Sequence, residues 1–212
     1  MLWQLLLIST FFSNVTAWIE GLVASHGYIA VFLLMTLESA GLPIPSEAVL
    51  PLTGLFVARG TFGAIPAYGV ALLGSIVGSL SAYYIAFVIG KDVVYNHAEK
   101  FHIKKTKLSA IDDWFAKEGP LTVFIAKMLP IVRGLINLPA GFAQMNVVKF
   151  AIFSTIGSAL WNALLIGFGF YAFSSTSISS IMIWIGLLLF VLYILYEFAK
   201  RKMKRKQQNL AY

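Results

Sequence analysis

The sequence predicts an all-α integral membrane protein in which transmembrane helices are combined with two re-entrant, broken-helix hairpins in inverted-repeat topology. The first observation is composition: of the 212 residues, 59% are hydrophobic and 12% are charged, unlike soluble globular domains. The second is that apolar stretches of membrane-spanning length recur along the chain. The third is that prolines and charged residues interrupt two of these stretches.

The N-terminal part, residues 1–26, opens with the apolar stretch MLWQLLLISTFF and is expected to form an interfacial helix. It lacks the basic n-region and the small-residue cleavage site of a removed signal peptide. We expect one membrane domain over residues 1–212, because each span needs roughly 20 apolar residues and the length leaves no room for a second domain.

Residues 28–58 form the first interrupted stretch, with Pro43, Pro45 and Ser46 at its centre. Each proline removes a backbone donor and disfavours helix at the residue before it, so one continuous helix is excluded. We predict a re-entrant hairpin that turns at these three residues. The alternative, two ordinary membrane spans, remains open.

Residues 66–90 predict an ordinary transmembrane helix that is rich in small residues. Four of these recur at helical spacing and are expected to let the helix approach its neighbours closely: Gly69, Gly74, Gly78 and Ser81. Residues 91–118 then mix six lysines with apolar side chains. They predict either an amphipathic helix on the cytoplasmic membrane surface or a solvated connector whose charge sets the topology.

Residues 121–148 form the second interrupted stretch, again broken by prolines and polar residues. For the same reasons as in the first stretch, we predict a second re-entrant hairpin here. Its expected turn residues are Pro130, Asn137, Pro139 and Gly141. Broken helices are tolerated at membrane depth only where the freed backbone groups are buried in protein or line a wet cavity.

The last third of the chain holds the two cleanest apolar stretches, residues 150–173 and 178–198, which predict ordinary transmembrane helices. A basic tail, residues 199–212, follows them. Of the 16 basic residues, only Arg59 lies before position 91. Because basic segments stay in the cytoplasm, the C-terminus and residues 91–118 are expected on the cytoplasmic side of the cell membrane.

These assignments also determine how the interrupted stretches enter the membrane. Two crossings separate the tail from the end of residues 121–148, so this stretch starts and ends on the cytoplasmic side, as a re-entrant hairpin does. The first stretch, if it is a hairpin, enters from the opposite face. The two hairpins would then be inverted relatives that meet near the midplane. The sequence leaves open whether one subunit completes the cavity between them or a homo-oligomer is needed.

Four ionisable residues lie within the interrupted stretches: Glu38, Glu47, Lys127 and Arg133. A charge at the bilayer centre costs on the order of 3 kcal/mol, so such residues usually pair with one another or line a pathway. The planar fork of Arg133 and the mobile charge of Lys127 suit a phosphate group. The two glutamates are candidates for taking up and releasing protons. The competing interpretation is a pair of buried salt bridges that only orient the hairpins.

The remaining polar residues give weaker signals. Four side-chain amides are expected to cap or bridge helices: Asn137, Gln144, Asn146 and Asn162. Trp161 and Trp184 are expected to pack or to lie at the membrane interface. The three histidines lack metal-ligand spacing and the chain has no cysteine, so we predict no metal and no cofactor. The net charge of +7 reflects membrane orientation, and we expect no nucleic-acid partner.

Two motifs resemble the DedA family of bacterial membrane proteins, which is related to the eukaryotic VTT-domain lipid scramblases. The first motif runs from Glu38 through Gly41-Leu-Pro43-Ile-Pro45-Ser46 to Glu47. The second is Phe124-x-x-Lys127-x-x-Pro130-x-x-Arg133, followed by Ala140-Gly141 and Met145. The resemblance covers roughly residues 20–175. One departure matters: the family usually has arginine at the position of Lys127, and lysine keeps the charge but loses the bidentate fork.

The resemblance implies two re-entrant hairpins of inverted topology and dependence on the proton motive force. It also implies transbilayer movement of phospholipids or of the carrier lipid undecaprenyl phosphate. The acidic and basic residues of both hairpins are needed in the family, which carries over to the glutamates at 38 and 47, to Lys127 and to Arg133.

Residues and resemblance together favour a lipid translocase, flippase-like or scramblase-like, rather than an enzyme. The phosphate of an anionic lipid would enter a polar cavity between the hairpins while its chains stay in the bilayer. A proton-coupled cation antiporter, with a site dominated by the glutamates, is the alternative. A lipid phosphatase would need paired arginine and histidine motifs, and an ATP-driven pump a nucleotide-binding glycine loop; the sequence has neither.

Overall fold

The computed structural model describes residues 14–15, 17–97, 118–130 and 132–174, together with their side chains except those of residues 91–97 and 173–174. Every regular element within these ranges is α-helical, as the sequence predicts. The predicted helix at 178–198, the basic tail, most of the 91–118 segment and the first thirteen residues lie outside the described part.

Eight helices run through the described ranges. They are α1 (17–26), α2 (Tyr28–Ser39), α3 (Ser46–Ala58), α4 (Ala64–His97), α5 (118–127), α6 (Val132–Leu135), α7 (Asn137–Phe142) and α8 (Val147–Ser174). Helices α2 and α3 come from the first interrupted stretch, and α5, α6 and α7 from the second. The two long helices, α4 and α8, each follow one of these stretches.

Two helical segments in the described ranges, Ala64–Gly90 and Val147–Ala172, are long and apolar enough to cross a bilayer. They overlap the predicted spans at 66–90 and 150–173. Their outward faces carry large apolar side chains such as Val88, which is 80% exposed, and such a surface suits hydrocarbon rather than water. Gly90 adopts a positive φ of 73°, so α4 changes direction at the end of its apolar part.

The first interrupted stretch is a helix, a turn and a second helix that folds back. Helices α2 and α3 have 12 and 13 residues, fewer than the roughly 20 that a membrane span needs, which favours a hairpin over two ordinary spans. The rings of Tyr28 and Phe56 both stack on Phe62, so the start of α2 lies beside the end of α3. Pro43 and Pro45 lie in the turn, whereas Ser46 is already the first residue of α3.

The second interrupted stretch contains more helix than the sequence suggests. Asn137, Pro139 and Gly141, expected in a turn, all lie within α7. A proline is tolerated there because Pro139 occupies the first turn of the helix, where backbone N–H groups have no helical partner. Pro130 lies in the bend after α5, as expected, and this bend is where the chain changes direction.

Each long helix packs against one arm of both interrupted stretches. Helix α4 packs against α2 and α7, and α8 packs against α3. Gly157 of α8 lies against Lys127 and the backbone of Phe124 in α5. The contacts of α4 therefore correspond to those of α8. The contact of α2 with α4 corresponds to that of α5 with α8, and the contact of α7 with α4 corresponds to that of α3 with α8. Two structural repeats would produce this pattern, while their direction relative to a membrane stays a prediction.

Of the four small residues expected to permit close packing, Gly74 and Gly78 do so. A Cβ at either position would meet the main chain of α2. Among the described residues no such contact exists at Gly69, where a Cβ would meet nothing within 4 Å, or at Ser81, which is exposed. Helix α2 ends at Ser39, which lies opposite Gly78, so no α2 backbone remains for α4 to meet one turn later.

Gly169→Ala is expected to destabilise the protein by forcing α3 and α8 apart. The added Cβ would meet the carbonyl oxygen of Pro51 in α3. Overpacking of this kind typically costs about 1–3 kcal/mol, which thermal unfolding in detergent would report as a lower midpoint. Gly69→Ala is the matched control, because a Cβ there meets nothing within 4 Å in the part of the chain that the structure describes. An equal effect of the two substitutions would contradict the packing described here.

Candidate functional site

The two interrupted stretches meet at a buried ion pair between Glu38 and Arg133. Glu38 lies in the last turn of α2, and Arg133 lies in α6. Arg133 Nε is 3.0 Å from Glu38 Oε1, and the two side chains are 2% and 6% exposed. The other carboxylate oxygen of Glu38 accepts a hydrogen bond from Ser39 Oγ at 3.0 Å. Both oxygens of the carboxylate are therefore engaged.

Backbone features around the ion pair explain why the stretches can come this close. Gly134 faces the end of α2, where a Cβ would lie only 2.7 Å from the backbone oxygen of Glu38. Asn137 Nδ2 donates to the carbonyl oxygen of Ser39 at 2.7 Å and to that of Gly134 at 2.9 Å. The last carbonyl groups of a helix have no intrahelical partner, so Asn137 satisfies one at the end of α2. Gly41, at φ 102°, supplies the tight turn that follows.

The guanidinium group of Arg133 is only partly used by the protein. Its Cζ lies 5.6 Å from the ring centroid of Trp161 in α8, within cation–π range. Its two terminal nitrogens are buried and have no hydrogen-bond partner among the described residues. Arginine presents its donors as a rigid fork that matches carboxylate and phosphate oxygens. The geometry thus leaves the bidentate edge of Arg133 open to an anion.

Lys127 is also fully buried, but it lies apart from the Glu38–Arg133 ion pair, between α4, α5 and α8. Its Nζ donates a hydrogen bond to Ser79 Oγ at 2.7 Å. Gly157 provides the space, since a Cβ there would be 2.6 Å from Lys127 Cβ. The ammonium remains within electrostatic range of Arg133 and Glu38. The structure therefore brings Arg133 and Glu38 together, while Lys127 stands apart with a hydroxyl partner.

A cavity of about 500 Å³ opens beside the first turn. Most of the cavity wall is apolar, and its polar side chains are those of Glu38, Ser46 and Glu47. The other residues that line it are Gly41, Leu42, Pro43, Ile44, Pro45, Pro130, Gly134 and Leu135. Glu47 is exposed in the first turn of α3, where a negative charge is favourable. Neither Arg133 nor Lys127 belongs to the lining. In this arrangement Glu38 lines the cavity, while its ion-pair partner Arg133 does not.

Several polar residues act as the sequence predicts, and others were missed. Asn146 Oδ1 accepts from the backbone N–H groups of Val148 and Lys149 at 3.0 and 3.1 Å, capping α8. Asn162 Nδ2 bridges to Ser75 Oγ of α4 at 3.3 Å. Trp161, which is expected to pack or to lie at the membrane interface, is buried and also contacts Arg133, and the sequence does not predict this contact. One sequence signal could have indicated that this part of α8 faces a polar site: polar side chains recur at helical spacing around Trp161 in an otherwise apolar helix.

Comparisons with known proteins give one family and several relatives. Residues 44–171, more than half of the chain, match the VTT domain. Undecaprenyl phosphate transporter A of Staphylococcus aureus is 35% identical over 151 residues, covering 69% of this chain and 74% of that protein. An alkaline phosphatase-like protein of Lactococcus lactis is 30% identical over 196 residues, 86% of this chain and 91% of its own length. Undecaprenyl phosphate transporter A of Bacillus subtilis is 29% identical over 157 residues, 74% and 75% of the two chains. No solved structure matches significantly.

Glu38→Gln is expected to destabilise the protein, because the charge of Arg133 is then left buried without a counter-charge. Removing one partner of a buried pair typically costs about 3–5 kcal/mol. The double variant Glu38→Gln, Arg133→Met removes both charges and is expected to recover much of the loss. Thermal unfolding in detergent measures the coupling, with Glu20→Gln at an exposed carboxylate as control. Strictly additive losses would mean that the two side chains do not interact energetically.

Proposed function

This chain belongs to the VTT-domain, or DedA, family of membrane proteins, and we propose that it is a lipid translocase. Its substrate would be an anionic lipid with a phosphate head group, such as undecaprenyl phosphate or a phospholipid, moved across the bacterial cytoplasmic membrane. The observation that carries this proposal is the buried, unused donor fork of Arg133. Two relatives named undecaprenyl phosphate transporter A support the choice of substrate class.

The proposed mechanism is an exchange of anions at Arg133. Glu38 lines the cavity and neutralises Arg133, so a phosphate entering the cavity competes with the carboxylate for the same guanidinium. Protonation of Glu38 removes the negative charge beside Arg133 Nε and leaves the guanidinium charge uncompensated, and a phosphate bound at the open terminal nitrogens then restores the charge balance. Because a buried charge without a partner costs several kcal/mol, proton uptake and phosphate capture are linked.

The remaining predicted site residues have supporting roles in this proposal. Glu47, exposed at the cavity, adds attraction for Arg133 and is the second candidate for proton exchange. Lys127 would hold the phosphate after it has left Arg133, since its ammonium uses a single hydroxyl partner. Leu42 and Leu135 are each 49% exposed at the cavity, where they suit contact with the chains of a lipid.

The proposal includes the membrane topology that the sequence predicts. The two helical hairpins would enter from opposite faces of the cytoplasmic membrane and meet near its midplane, with the C-terminus in the cytoplasm. The short lengths of α2 and α3 and the exchange pattern of the helix contacts support this arrangement. We propose a transporter rather than an enzyme, in line with the relatives named as transporters. A second copy of the chain would be needed only if one subunit does not close the cavity.

One observation favours a second candidate, a proton-coupled cation antiporter. The charged groups that line the cavity are carboxylates, Glu38 and Glu47, and such a lining attracts cations more readily than phosphates. This candidate leaves the open fork of Arg133 without a substrate, so the lipid translocase accounts for more of the site.

Arg133→Lys is expected to reduce lipid movement strongly, because lysine keeps the charge but loses the bidentate fork. The assay is transbilayer movement of labelled undecaprenyl phosphate and labelled phosphatidylglycerol in proteoliposomes. Lys149→Arg, at an exposed cation, is the matched control and is expected to behave as wild type. Loss of a good bidentate contact corresponds to a rate reduced by roughly one to two orders of magnitude.

The same vesicles separate the two candidate functions. Movement of a phosphate lipid that depends on Arg133 supports the translocase. If neither lipid moves while cation gradients drive proton flux that depends on Glu38 and Glu47, the antiporter is correct instead.

Glu38→Gln is expected to remove the pH dependence of lipid movement, since glutamine resembles the protonated carboxyl permanently. In wild type, acid on the side that the cavity faces should favour protonated Glu38, release Arg133 and increase phosphate capture from that side. Rates are measured with and without an imposed pH gradient, per folded molecule. Glu47→Gln tests the second carboxylate in parallel. A Glu38→Gln variant with the wild-type pH dependence would exclude Glu38 as the proton carrier.

A further inference from the structure

Unpartnered polar atoms recur on the face of α8 that carries Trp161, whose ring lies 5.6 Å from Arg133 Cζ. Ser158 Oγ, Trp161 Nε1 and Asn162 Oδ1 are all buried and have no hydrogen-bond partner among the described residues, like the terminal nitrogens of Arg133. The three α8 residues are at most 1% exposed. Their spacing of three and four residues places them on the same helix face. Buried polar atoms are almost always satisfied in folded proteins, so such a concentration calls for a binding partner.

The arrangement identifies the kind of partner. Arg133 and Trp161 offer only N–H donors, Asn162 Oδ1 is an acceptor, and Ser158 can do both. The amide nitrogen of Asn162, Nδ2, donates a hydrogen bond to Ser75 Oγ of α4. A phosphate at the terminal nitrogens of Arg133 would satisfy those donors but would leave the amide oxygen of Asn162 without a partner, and a cation would be repelled by the guanidinium. Water satisfies donors and acceptors together, and buried water typically makes about three such bonds.

Polar groups continue from this face toward Lys127. Ser75 Oγ accepts from Asn162, and Ser79 Oγ, one turn later in α4, donates to the backbone oxygen of Ser75. Ser79 Oγ in turn accepts from Lys127 Nζ, which has two further N–H donors. Lys127 is therefore connected through Ser79 and Ser75 to Asn162, which follows Trp161 in α8. The ring of Trp161 in turn lies against the guanidinium of Arg133.

We propose that Arg133, Ser158, Trp161 and Asn162 enclose a binding site for internal water, and that this water solvates the Arg133 guanidinium while its anionic partner is exchanged. The role in exchange rests on the proposed function; the water site itself does not. Without solvation, the step in which Glu38 has released Arg133 and phosphate has not yet bound would leave a charge uncompensated in a dry interior. Water on the Trp161 side lowers the free energy of that intermediate.

X-ray radiolytic footprinting of the full chain in lipid nanodiscs tests the water site directly. Radicals formed from bound water oxidise the side chains beside it, even where bulk solvent is excluded. Trp161 is expected to be oxidised in the folded protein. Met35 is the control: it is 0% exposed, lies in the apolar core and carries a readily oxidised thioether. Protection of Trp161 as complete as that of Met35 would overturn the proposal, and this outcome does not depend on whether any lipid moves.

Asn162→Leu tests the role of the water in exchange. Leucine has nearly the same shape as asparagine but binds no water, so the maximal rate of lipid movement is expected to fall several-fold while the half-saturating lipid concentration stays unchanged. Thr53→Val is the matched control, because Thr53 is equally buried but bonds only to its own helix. A wild-type maximal rate in Asn162→Leu would overturn the solvation role. If Asn162→Leu does not fold, Ser158→Ala replaces it in the same comparison.

Discussion

The buried ion pair between Glu38 and Arg133 is the constraint on which the rest of the structure depends. Each charge alone would cost several kcal/mol in an apolar interior, so the two interrupted stretches are stable only when they present the charges to one another. The neighbouring contacts serve the same end: Gly134 permits the close approach, and Asn137 bonds to the end of α2. The long helices α4 and α8 hold the stretches in place from either side.

Much of the fold could be predicted because its signals are local. A proline disfavours a continuous helix, and a charge in an apolar stretch is costly whatever its partner. The breaks near Pro43 and Pro130 and the selection of Glu38 and Arg133 as candidate site residues therefore follow from the sequence. Which charged residues form a pair cannot be predicted from the local sequence. The choice of Glu38 over the exposed Glu47, and of a hydroxyl partner for Lys127, depends on how the two stretches dock.

Residues in the second stretch show the other limit of sequence reasoning. Pro139 predicts a break, yet it lies in the first turn of a short helix, where a proline removes no intrahelical hydrogen bond. Trp161 carries no local sign of its role, since an aromatic residue in an apolar helix usually packs against neighbours. Its importance comes from Arg133 being placed over its ring by a segment nearly thirty residues away. Side-chain function here is a property of docking, which spacing alone cannot supply.

The contacts of α4 with both stretches have a consequence for how the chain is made. Positions 38 and 133 are 95 residues apart. At ribosomal speeds of roughly 5–20 residues per second, Arg133 is therefore synthesised about 5–20 s after Glu38. Helix α4 can cover α2 during that time, but the guanidinium that neutralises Glu38 has not yet been synthesised. The carboxylate of Glu38 therefore needs another polar environment, such as the membrane insertion machinery offers, until the second half of the chain is made.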